Sequence, residues 1–256
     1  MPDMPPAIVA ALYRYPVKGL TPEAMTHVEL EAGGTMPFDR AYAIENGQGR
    51  FDAANPRHLP KINFLMLMRN ERLASLDAVF DDATHTLTIK RAGRQVARGD
   101  LRTSIGRQLI EQFFAAYMQT ELRGAPKIVS APGHSISDVA AKCLHIVNLA
   151  SVRELERIAG RPIDPLRFRA NVHVDGLAAF SERDWVGKRL VLREVELEVF
   201  DRTARCEATN VDPGTAQRDM AIPAVLQRTW ARTDFGVYAK VAKAGCLRIG
   251  DPVSLP

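Results

Sequence analysis

The alternation of apolar and polar residues predicts β-strands near both ends of the chain. Four short apolar segments bounded by turn-forming residues are expected to be strands: residues 8–15, 28–30, 40–45 and 86–90. The Asn46-Gly47 pair after the third segment predicts a hairpin turn, since glycine tolerates positive φ. Glutamates alternate with valine and leucine within residues 190–200, which predicts a strand with one solvated face, and residues 237–255 return to strands.

Three segments have the periodicity or the end signals of helices. Residues 103–121 place their apolar side chains on one side at helical spacing, which predicts one amphipathic helix. Ser151 and Glu154 have the spacing of a capping box, so a second helix is expected to begin there and to stop at Gly160. A third helix is expected to begin near Ile222, with proline in its first turn.

Strands outnumber helices, and no alternation of strand and helix recurs along the chain. This pattern disfavours a doubly wound parallel sheet and favours a mainly β (α+β) fold with barrel-like sheets. The helix expected at residues 103–121 is the natural divider between two parts. At 256 residues, with 46% hydrophobic and 25% charged residues, the chain has the composition of a soluble folded protein.

The charge distribution excludes one class of partner. The chain has 34 basic and 30 acidic residues, and 26 of the basic residues are arginines, whose guanidinium groups suit phosphate and carboxylate. The basic residues are dispersed and aromatic residues make up only 7%, so no nucleic-acid partner is expected. The N-terminal segment has neither the charge nor the apolar length of a signal peptide or membrane span, so no membrane partner is expected.

The cysteines and histidines give few chemical signals. The three cysteines, an odd number at wide spacing, form neither a disulfide framework nor a CxxC metal motif, which indicates a reducing compartment, the cytoplasm. The six histidines show no metal-ligand spacing and are expected to be structural. The motifs of dinucleotide-binding proteins, P-loop proteins, zinc proteases and α/β-hydrolases do not occur in the sequence.

Three local clusters suit the binding of an anion. Lys18 and Gly19 follow a rigid proline at the end of the first predicted strand. Asp39 and Arg40 follow a glycine pair and form either an orienting pair or a surface ion pair. In the sequence RFRAN, Arg167, Arg169 and Asn171 share one parity, so an extended segment would present all three side chains on the same face.

A fourth cluster places Cys206 directly after Arg205, where a predicted strand meets a turn. A neighbouring positive charge favours the thiolate, the form that binds a metal or attacks an electrophile. A buried and inert cysteine is the alternative.

Taken together, five segments resemble the MOSC proteins that carry an N-terminal β-barrel domain. They are YPVKGL, FDR after GG, RFRAN followed by AFSERDW, RCEATNVDP, and the ending FGVYAKVAKAGCLRIGDPV, in the family's order and spacing. The resemblance implies an N-terminal β-barrel domain at residues 6–122 and a MOSC β-barrel domain at residues 123–256, with a few peripheral helices. It also implies the molybdenum cofactor (molybdopterin with Mo), bound in the cleft between the two domains. A family-level association with pyridoxal phosphate comes with it.

Carried over by position, the resemblance assigns the site. Cys206, the cysteine of the RC motif, would ligate molybdenum beside the pterin dithiolene and serve as the catalytic residue, in agreement with the preference of soft metals for thiolate. The positions that would hold the cofactor are Lys18, Gly19, Arg40, Arg169, Asn171, Arg205 and Tyr238. Two residues depart from the family pattern: Gly19 stands where reductases often have serine, and Ala170 stands where proline is usual.

The resemblance implies an oxidoreductase that reduces N-hydroxylated or other N–O small molecules. The sequence has no iron–sulfur or flavin motif, so the electrons are expected from a separate donor protein. Two alternatives remain open. One is a sulfur carrier that uses a persulfide on Cys206, and the other is a protein that carries the cofactor without turnover.

Overall fold

The computed structural model describes residues 6–255, which form a mainly β structure with three α-helices. The helices are α1 (Ser104–Tyr117), α2 (Leu149–Ala159) and α3 (Ile222–Trp230). The strands are β1 (Ile8–Arg14), β2 (Glu23–Met25), β3 (His27–Leu30), β4 (Ala43–Glu45), β5 (Asp77–Asp81), β6 (Thr86–Arg91), β7 (Arg94–Asp100), β8 (Lys127–Val129), β9 (Leu144–Asn148), β10 (Val172–Asp175), β11 (Arg189–Leu192), β12 (Val195–Ala204), β13 (Asp234–Lys243), β14 (Gly245–Arg248) and β15 (Val253–Ser254). The predicted mainly β, α+β fold is confirmed.

An eight-stranded sheet forms the largest layer, in the order β15-β11-β12-β13-β9-β10-β1-β2. Neighbouring strands are antiparallel except for the parallel pair β9 and β10. The first strand of the chain, β1, lies beside β10 with Leu12 opposite Val172, so residues far apart in sequence share one core. Along β12 the valines and leucine are buried while Glu198 is exposed, which confirms the strand with one solvated face.

Three smaller sheets complete the structure. Strands β5, β6 and β7 form an antiparallel sheet whose apolar face shares a core with α1. Strand β4 pairs with β8, and β3 pairs with β14 near the C-terminus. Since β1, β3 and β4 all pair with strands beyond residue 123, the two predicted domains are connected through shared sheets.

The helix predictions have different outcomes. Helix α1 begins after Thr103, whose hydroxyl accepts the N–H of Gly106 at 3.0 Å, and α3 begins at Ile222 with proline in its first turn, both as predicted. The capping box at Ser151 was wrong. Strand β9 passes directly into α2, and Asn148 caps that helix by accepting the N–H of Ala150 at 3.0 Å.

The predictions around residues 40–47 were also wrong. Strand β4 is shorter than expected because Phe38 and Arg40 have left-handed backbones, with φ of 59° and 51°. The Asn46-Gly47 pair does not close a hairpin, since β4 finds its partner in the distant strand β8. Instead, Glu45 at the end of β4 forms an isolated bridge with Phe64. Local turn propensity was overridden by long-range strand pairing.

None of the helices within the described range 6–255 is long and apolar enough to cross a membrane.

The buried carboxylate of Glu182 connects helix α2 with the end of strand β9. Glu182 is 1% exposed, and its Oε2 accepts hydrogen bonds from Ser151 Oγ at 2.9 Å and Asn148 Nδ2 at 3.2 Å. Ser151 in turn accepts the N–H of Phe180 at 2.7 Å. Glu182 Oε1 has no partner within the described residues, and burial raises the pKa of Glu182 although these hydrogen bonds oppose it.

Because the folded protein favours protonated Glu182, its stabilising contribution is present at low pH and is lost as pH rises through the raised pKa. Glu182→Gln cannot ionise and keeps the accepting oxygen. We expect its free energy of unfolding to exceed the wild-type value by about 1–2 kcal/mol at pH 8 and to match it at pH 4. Urea unfolding at both pH values measures this. Glu198→Gln, at an exposed position of β12, is the control, and an equal pH dependence in Glu182→Gln and wild type would contradict the assignment.

Candidate active site

One cavity brings together all eight residues that the sequence predicted for the site. Its wall includes Lys18, Gly19, Arg40, Arg169, Asn171, Arg205, Cys206 and Tyr238. They come from four places: the turn after β1, the segment before β4, the approach to β10, and the end of β12 with the facing strand β13. The large sheet therefore collects these side chains at one location, while their roles toward a ligand stay predictions.

Two arginines of the cavity wall, Arg40 and Arg169, pack against the buried ring of Tyr15. The guanidinium carbons of Arg40 and Arg169 lie 4.3 and 4.2 Å from the centroid of the buried Tyr15 ring. Cation–π contacts of this kind stabilise by about 2 kcal/mol or more when they are removed from water. Burial raises the pKa of Tyr15 to about 12, although both guanidinium charges act to lower it. The phenol is therefore neutral, and its hydroxyl donates to the carbonyl of Ala170 at 3.3 Å.

Asp39 fixes the orientation of Arg40. The carboxylate forms an ion pair with the Arg40 guanidinium and accepts the N–H of Tyr15 at 2.9 Å. Arg40 also donates to the carbonyl of Arg169 at 2.9 Å. Asp39 is 4% exposed, so the pair is a buried orienting pair and not a surface ion pair. This settles the two alternatives that the sequence left open.

The RFRAN segment does not have the extended conformation that the sequence predicted. Residues Pro165–Phe168 form a 3-10 helix, and Arg169 follows it with a left-handed φ of 53°. Arg167 therefore turns to Asp212 and Asp219, at 2.7 and 2.9 Å, which neutralise its charge. Arg169 remains the cation of this segment that stacks on the tyrosine.

Asn171 connects three strands. Its Oδ1 accepts the N–H of His145 in β9 at 3.1 Å, and its Nδ2 donates to the carbonyl of Tyr13 in β1 at 3.2 Å. Asn171 directly precedes β10, so these bonds fix β1 and β9 on either side of it. In this structure Asn171 shapes the cavity wall by holding the backbone.

Arg205 and Tyr238 are joined by a histidine that the sequence treated as structural. Arg205 donates to the carbonyl of Phe168 at 2.7 Å and lies 3.5 Å from His145 Nε2. The His145 ring is 5.5 Å from the Tyr238 ring. Burial and the charge of Arg205 hold the pKa of His145 well below its ordinary value, so the imidazole is neutral. Nothing in the sequence indicated His145, because a single histidine in a strand has no distinctive pattern.

Asp138 and Lys61 are two further cavity residues that the sequence did not reveal. Asp138 lies in the irregular segment 130–143, and its carboxylate is 2.5 Å from Lys18 Nζ and 3.5 Å from Lys61 Nζ. Burial acts to raise the pKa of Asp138, but the charges of Lys18 and Lys61 outweigh it and hold that pKa well below its usual range. Burial also lowers the pKa of Lys18, and Asp138 opposes that change. The Asp138 carboxylate occupies the position beside Lys18 Nζ that a bound anion would take.

Two of the three cysteines line the cavity. Cys206 precedes the 3-10 helix Glu207–Asn210, and its carbonyl accepts the N–H of Thr209 at 3.1 Å, which fixes the turn. Cys143 also lines the wall, a position that the sequence did not indicate. Burial raises the pKa of the Cys143 thiol to about 12. Cys246 lies in β14, away from the cavity wall. Among residues 6–255, no three His, Cys, Asp or Glu side chains form a cluster that could hold a metal ion.

The cavity carries an excess of positive charge. Its wall has six cationic side chains, Lys18, Arg40, Lys61, Arg167, Arg169 and Arg205, and two carboxylates, Asp39 and Asp138. Because Asp212 and Asp219 neutralise Arg167 from outside the wall, the remaining formal charge is +3. Arg169 Nη2 and Arg205 Nε are buried and have no hydrogen-bond partner within the described residues. Burial lowers the pKa of Arg169 to about 10, with the charge of Arg40 acting in the same direction. Unpartnered buried guanidinium groups beside a thiol suit an anionic ligand that also carries a soft metal.

Two family descriptions match the chain in succession. The MOSC N-terminal beta barrel domain matches residues 6–123, and the MOSC domain matches residues 131–254. The chain belongs to the MOSC family and carries that family's N-terminal barrel domain. This confirms the resemblance that the motifs indicated.

Alignments with related proteins cover different fractions of the chain. Mitochondrial amidoxime-reducing component 1 of Mus musculus is 23% identical over 281 residues, covering 96% of this chain and 82% of the relative. Mitochondrial amidoxime reducing component 2 of Rattus norvegicus is 31% identical over 122 residues, covering 43% of this chain and 36% of the relative. The molybdenum cofactor sulfurase of Caenorhabditis elegans is 35% identical over 99 residues, covering 37% and 14%. The match therefore spans about a third of the rat protein and about a seventh of the nematode protein.

Among solved structures, the YUAD protein from Bacillus subtilis aligns with a TM-score of 0.45 and 14% identity, covering 96% of this chain and 93% of that chain. Among the sequence relatives, the nematode protein is named for the molybdenum cofactor.

Removing the carboxylate that now pairs with Lys18 tests the anion preference of the cavity. We expect Asp138→Asn to bind inorganic phosphate about two- to fivefold more tightly than the wild type, because phosphate no longer competes with the partly exposed Asp138 carboxylate for Lys18. Isothermal titration calorimetry measures the dissociation constant. Asp184→Asn, an exposed carboxylate outside the cavity wall, removes the same charge as a control. Weaker phosphate binding in Asp138→Asn would contradict the competition.

Proposed function

We propose that this protein binds the molybdenum cofactor in the cavity and reduces N-hydroxylated or other N–O small molecules. The observation that carries the proposal is the joint position of Cys206 and the unpartnered Arg169 and Arg205 guanidinium groups in one positively charged wall. A phosphate-bearing ligand with a soft metal requires both features at once.

The terminal phosphate of the pterin would be held by cations that the fold has already oriented. Arg40 and Arg169 are fixed against Tyr15, and Lys18 would exchange Asp138 for the phosphate. Arg205 is anchored to the carbonyl of Phe168, which leaves its buried Nε free to donate. These groups are held before binding, so little side-chain entropy would be lost.

Gly19 supports the proposal where it departs from the family pattern. Its φ is 84°, and a Cβ at this position would lie 3.1 Å from the carbonyl oxygen of Leu65 and 3.2 Å from the side chain of Leu73. A serine would therefore need the neighbouring backbone to move. The Gly19 position can still offer a backbone N–H to an anion, as glycine does in other phosphate-binding loops.

When bound, the cofactor would supply a metal centre that removes oxygen from an N–O bond with electrons that reach it from outside the chain. Cys206 would serve as the protein's thiolate ligand, positioned by the turn that its carbonyl closes with Thr209. His145 would stay neutral and hold Arg205 and Tyr238 in place. The electrons would come from a separate donor protein. Three unpaired cysteines suit a reducing compartment, and we place the protein in the cytoplasm.

Sulfur transfer is a second candidate. The match with the nematode molybdenum cofactor sulfurase and the partial exposure of Cys206 favour it, because a persulfide on this thiol would have to reach an acceptor. In that case Cys206 would be open to alkylation in protein that contains cofactor, whereas a metal ligand would be protected. A carrier that holds the cofactor without turnover would show protection without reductase activity.

The ligand assignment is tested by Cys206→Ser. We expect this variant to fold normally, to retain at most a tenth of the molybdenum per chain, and to lose amidoxime reduction, because a hydroxyl is a harder and less readily ionised ligand. Elemental analysis and reductase assays on protein from a cofactor-producing host measure both quantities.

Two matched variants identify which thiol acts. Cys143→Ser changes the other thiol in the cavity wall, and Cys246→Ser changes one away from it. Both should keep most of the metal and the activity. Loss of molybdenum in Cys143→Ser together with its retention in Cys206→Ser would reverse the assignment.

The phosphate contact is tested at Arg169. A charge-assisted hydrogen bond contributes about 1.5–3 kcal/mol, so Arg169→Ala should weaken cofactor retention roughly ten- to a hundredfold. Arg169→Lys should restore retention only in part, because an ammonium cannot form the bidentate contact. Release of pterin during dialysis, measured by fluorescence after oxidation, gives the retention. Full retention in Arg169→Ala would contradict the proposed cradle.

A further inference from the structure

Arg218 connects the two family-matched parts of the chain directly beside the candidate active site. It lies in the part matched by the MOSC domain, and its Nη1 donates to the carbonyl of Glu207 in the same part at 3.0 Å. Its Nη2 donates to the carbonyls of Leu67 and Met68, in the part matched by the N-terminal barrel domain, at 3.0 and 2.7 Å. One guanidinium group therefore holds two backbone segments that are far apart in sequence.

Both of these backbone segments belong to the cavity wall. Residues 66–68 line the cavity, and Glu207 stands between the lining residues Cys206 and Ala208. Arg218 lies outside the set of lining residues, and its side chain is 30% exposed. It therefore binds the wall from the solvent side and ties the turn that carries Cys206 to the segment 66–68.

The loop that carries Arg218, residues 211–219, is anchored to the MOSC part. Its two ends pair with each other through an isolated antiparallel bridge. The carboxylates of Asp212 and Asp219 hold the buried Arg167 at 2.7 and 2.9 Å. Because this loop is fixed at its base, the position of Arg218 is set before its guanidinium group reaches the segment 66–68.

Glu71 orients the guanidinium group on the N-terminal side. Its Oε2 lies 3.3 Å from Arg218 Nε and 3.2 Å from Arg218 Nη2. The two side chains are 41% and 30% exposed, so this ion pair contributes little by itself. The bonds to the backbone carbonyls are the ones that join the segments, and the planar guanidinium group presents donors in several directions at once.

We propose that Arg218 is a positioning residue that holds the Cys206 turn to the segment 66–68, so that it limits access to the Cys206 thiol and slows the release of a ligand from the cavity. Arg218 acts through the backbone of Glu207 and does not itself line the cavity. The effect on thiol access rests on these contacts alone, whereas the effect on cofactor release rests on the proposed function.

The first test is the alkylation of Cys206 by iodoacetamide, followed by peptide mass spectrometry on full-length protein from a host that does not produce the cofactor. Arg218→Ala should raise the rate about five- to tenfold, because the loss of about one net hydrogen bond makes local opening more frequent by that factor. Cys246 in β14 is the internal reference and should react at an unchanged rate. An unchanged Cys206 rate in folded Arg218→Ala would overturn the proposal.

Two further variants at Arg218 grade the effect. Arg218→Lys should restore the wild-type rate only in part, because an ammonium group is a single point and cannot donate to both segments in the geometry of the guanidinium group. Arg218→Gln serves if the alanine variant does not fold, and it should still raise the rate about threefold, since its neutral amide makes weaker hydrogen bonds to the carbonyls. A wild-type rate in folded Arg218→Gln would also contradict the proposal.

Arg161→Ala is the matched control for a general loosening of the loop. Arg161 donates to the carbonyl and the carboxylate of Asp219, the next residue of the same loop, at 2.8 and 2.6 Å, and both contacts lie within the MOSC part. This variant should leave the Cys206 rate near the wild-type value. An increase equal to that in Arg218→Ala would contradict a specific role of Arg218.

The second test is the release of pterin during dialysis of protein from a cofactor-producing host. Arg218→Ala should release the pterin about five- to tenfold faster than the wild type, for the same reason. Unchanged release in folded Arg218→Ala would overturn the role in ligand retention.

The two tests separate this proposal from the proposed function. Wild-type protein that acquires no molybdenum, together with faster Cys206 alkylation in Arg218→Ala, contradicts the proposed function and leaves the positioning role standing. Wild-type protein that contains molybdenum and reduces amidoximes, together with unchanged alkylation in Arg218→Ala, contradicts the positioning role and leaves the proposed function standing.

Discussion

The candidate site depends on the stack in which the guanidinium groups of Arg40 and Arg169 both pack against the ring of Tyr15. Two cations this close repel each other, and burial removes the water that would screen them. Three features compensate: the ring faces, the Asp39 carboxylate, and the carbonyl of Arg169 that accepts from Arg40. The stack also joins the end of β1 to the segment before β10, so cavity and large sheet are stabilised together.

The positive charges of the site are only partly compensated, and this property suits the site to an anionic ligand. Arg169 Nη2 and Arg205 Nε remain buried without partners in the described part of the chain, at a cost in stability of about 1–3 kcal/mol each. Asp138, which lies in the irregular segment 130–143, compensates part of the positive charge by pairing with Lys18. An irregular segment can move more readily than a sheet. An arriving anion would therefore satisfy groups that the fold alone leaves unsatisfied.

Local sequence signals predicted most accurately the elements that depend on residues close together in the sequence. Thr103 caps α1 and the glutamates of β12 face water, because periodicity and capping act over a few residues. The same reasoning failed at Ser151, where strand β9 runs directly into helix α2 and Asn148 takes the cap. It also failed at Arg169, which ends the 3-10 helix Pro165–Phe168 in a left-handed conformation, with its N–H bonded to the carbonyl of Leu166.

The sequence by itself determined the mainly β class through its periodicity, and its ordered motifs indicated the family. The resemblance to that family then implied the eight residues that line the cavity. Only the tertiary structure decided that Asp39 is a buried partner, that Arg167 is neutralised, and that Asp138, Lys61, Cys143 and His145 share the cavity. The physical reason is that charge compensation and burial depend on pairs of residues far apart in the chain. A sequence pattern records which groups are present, whereas the pairing of β1 with β10 and of β4 with β8 decides which of them meet.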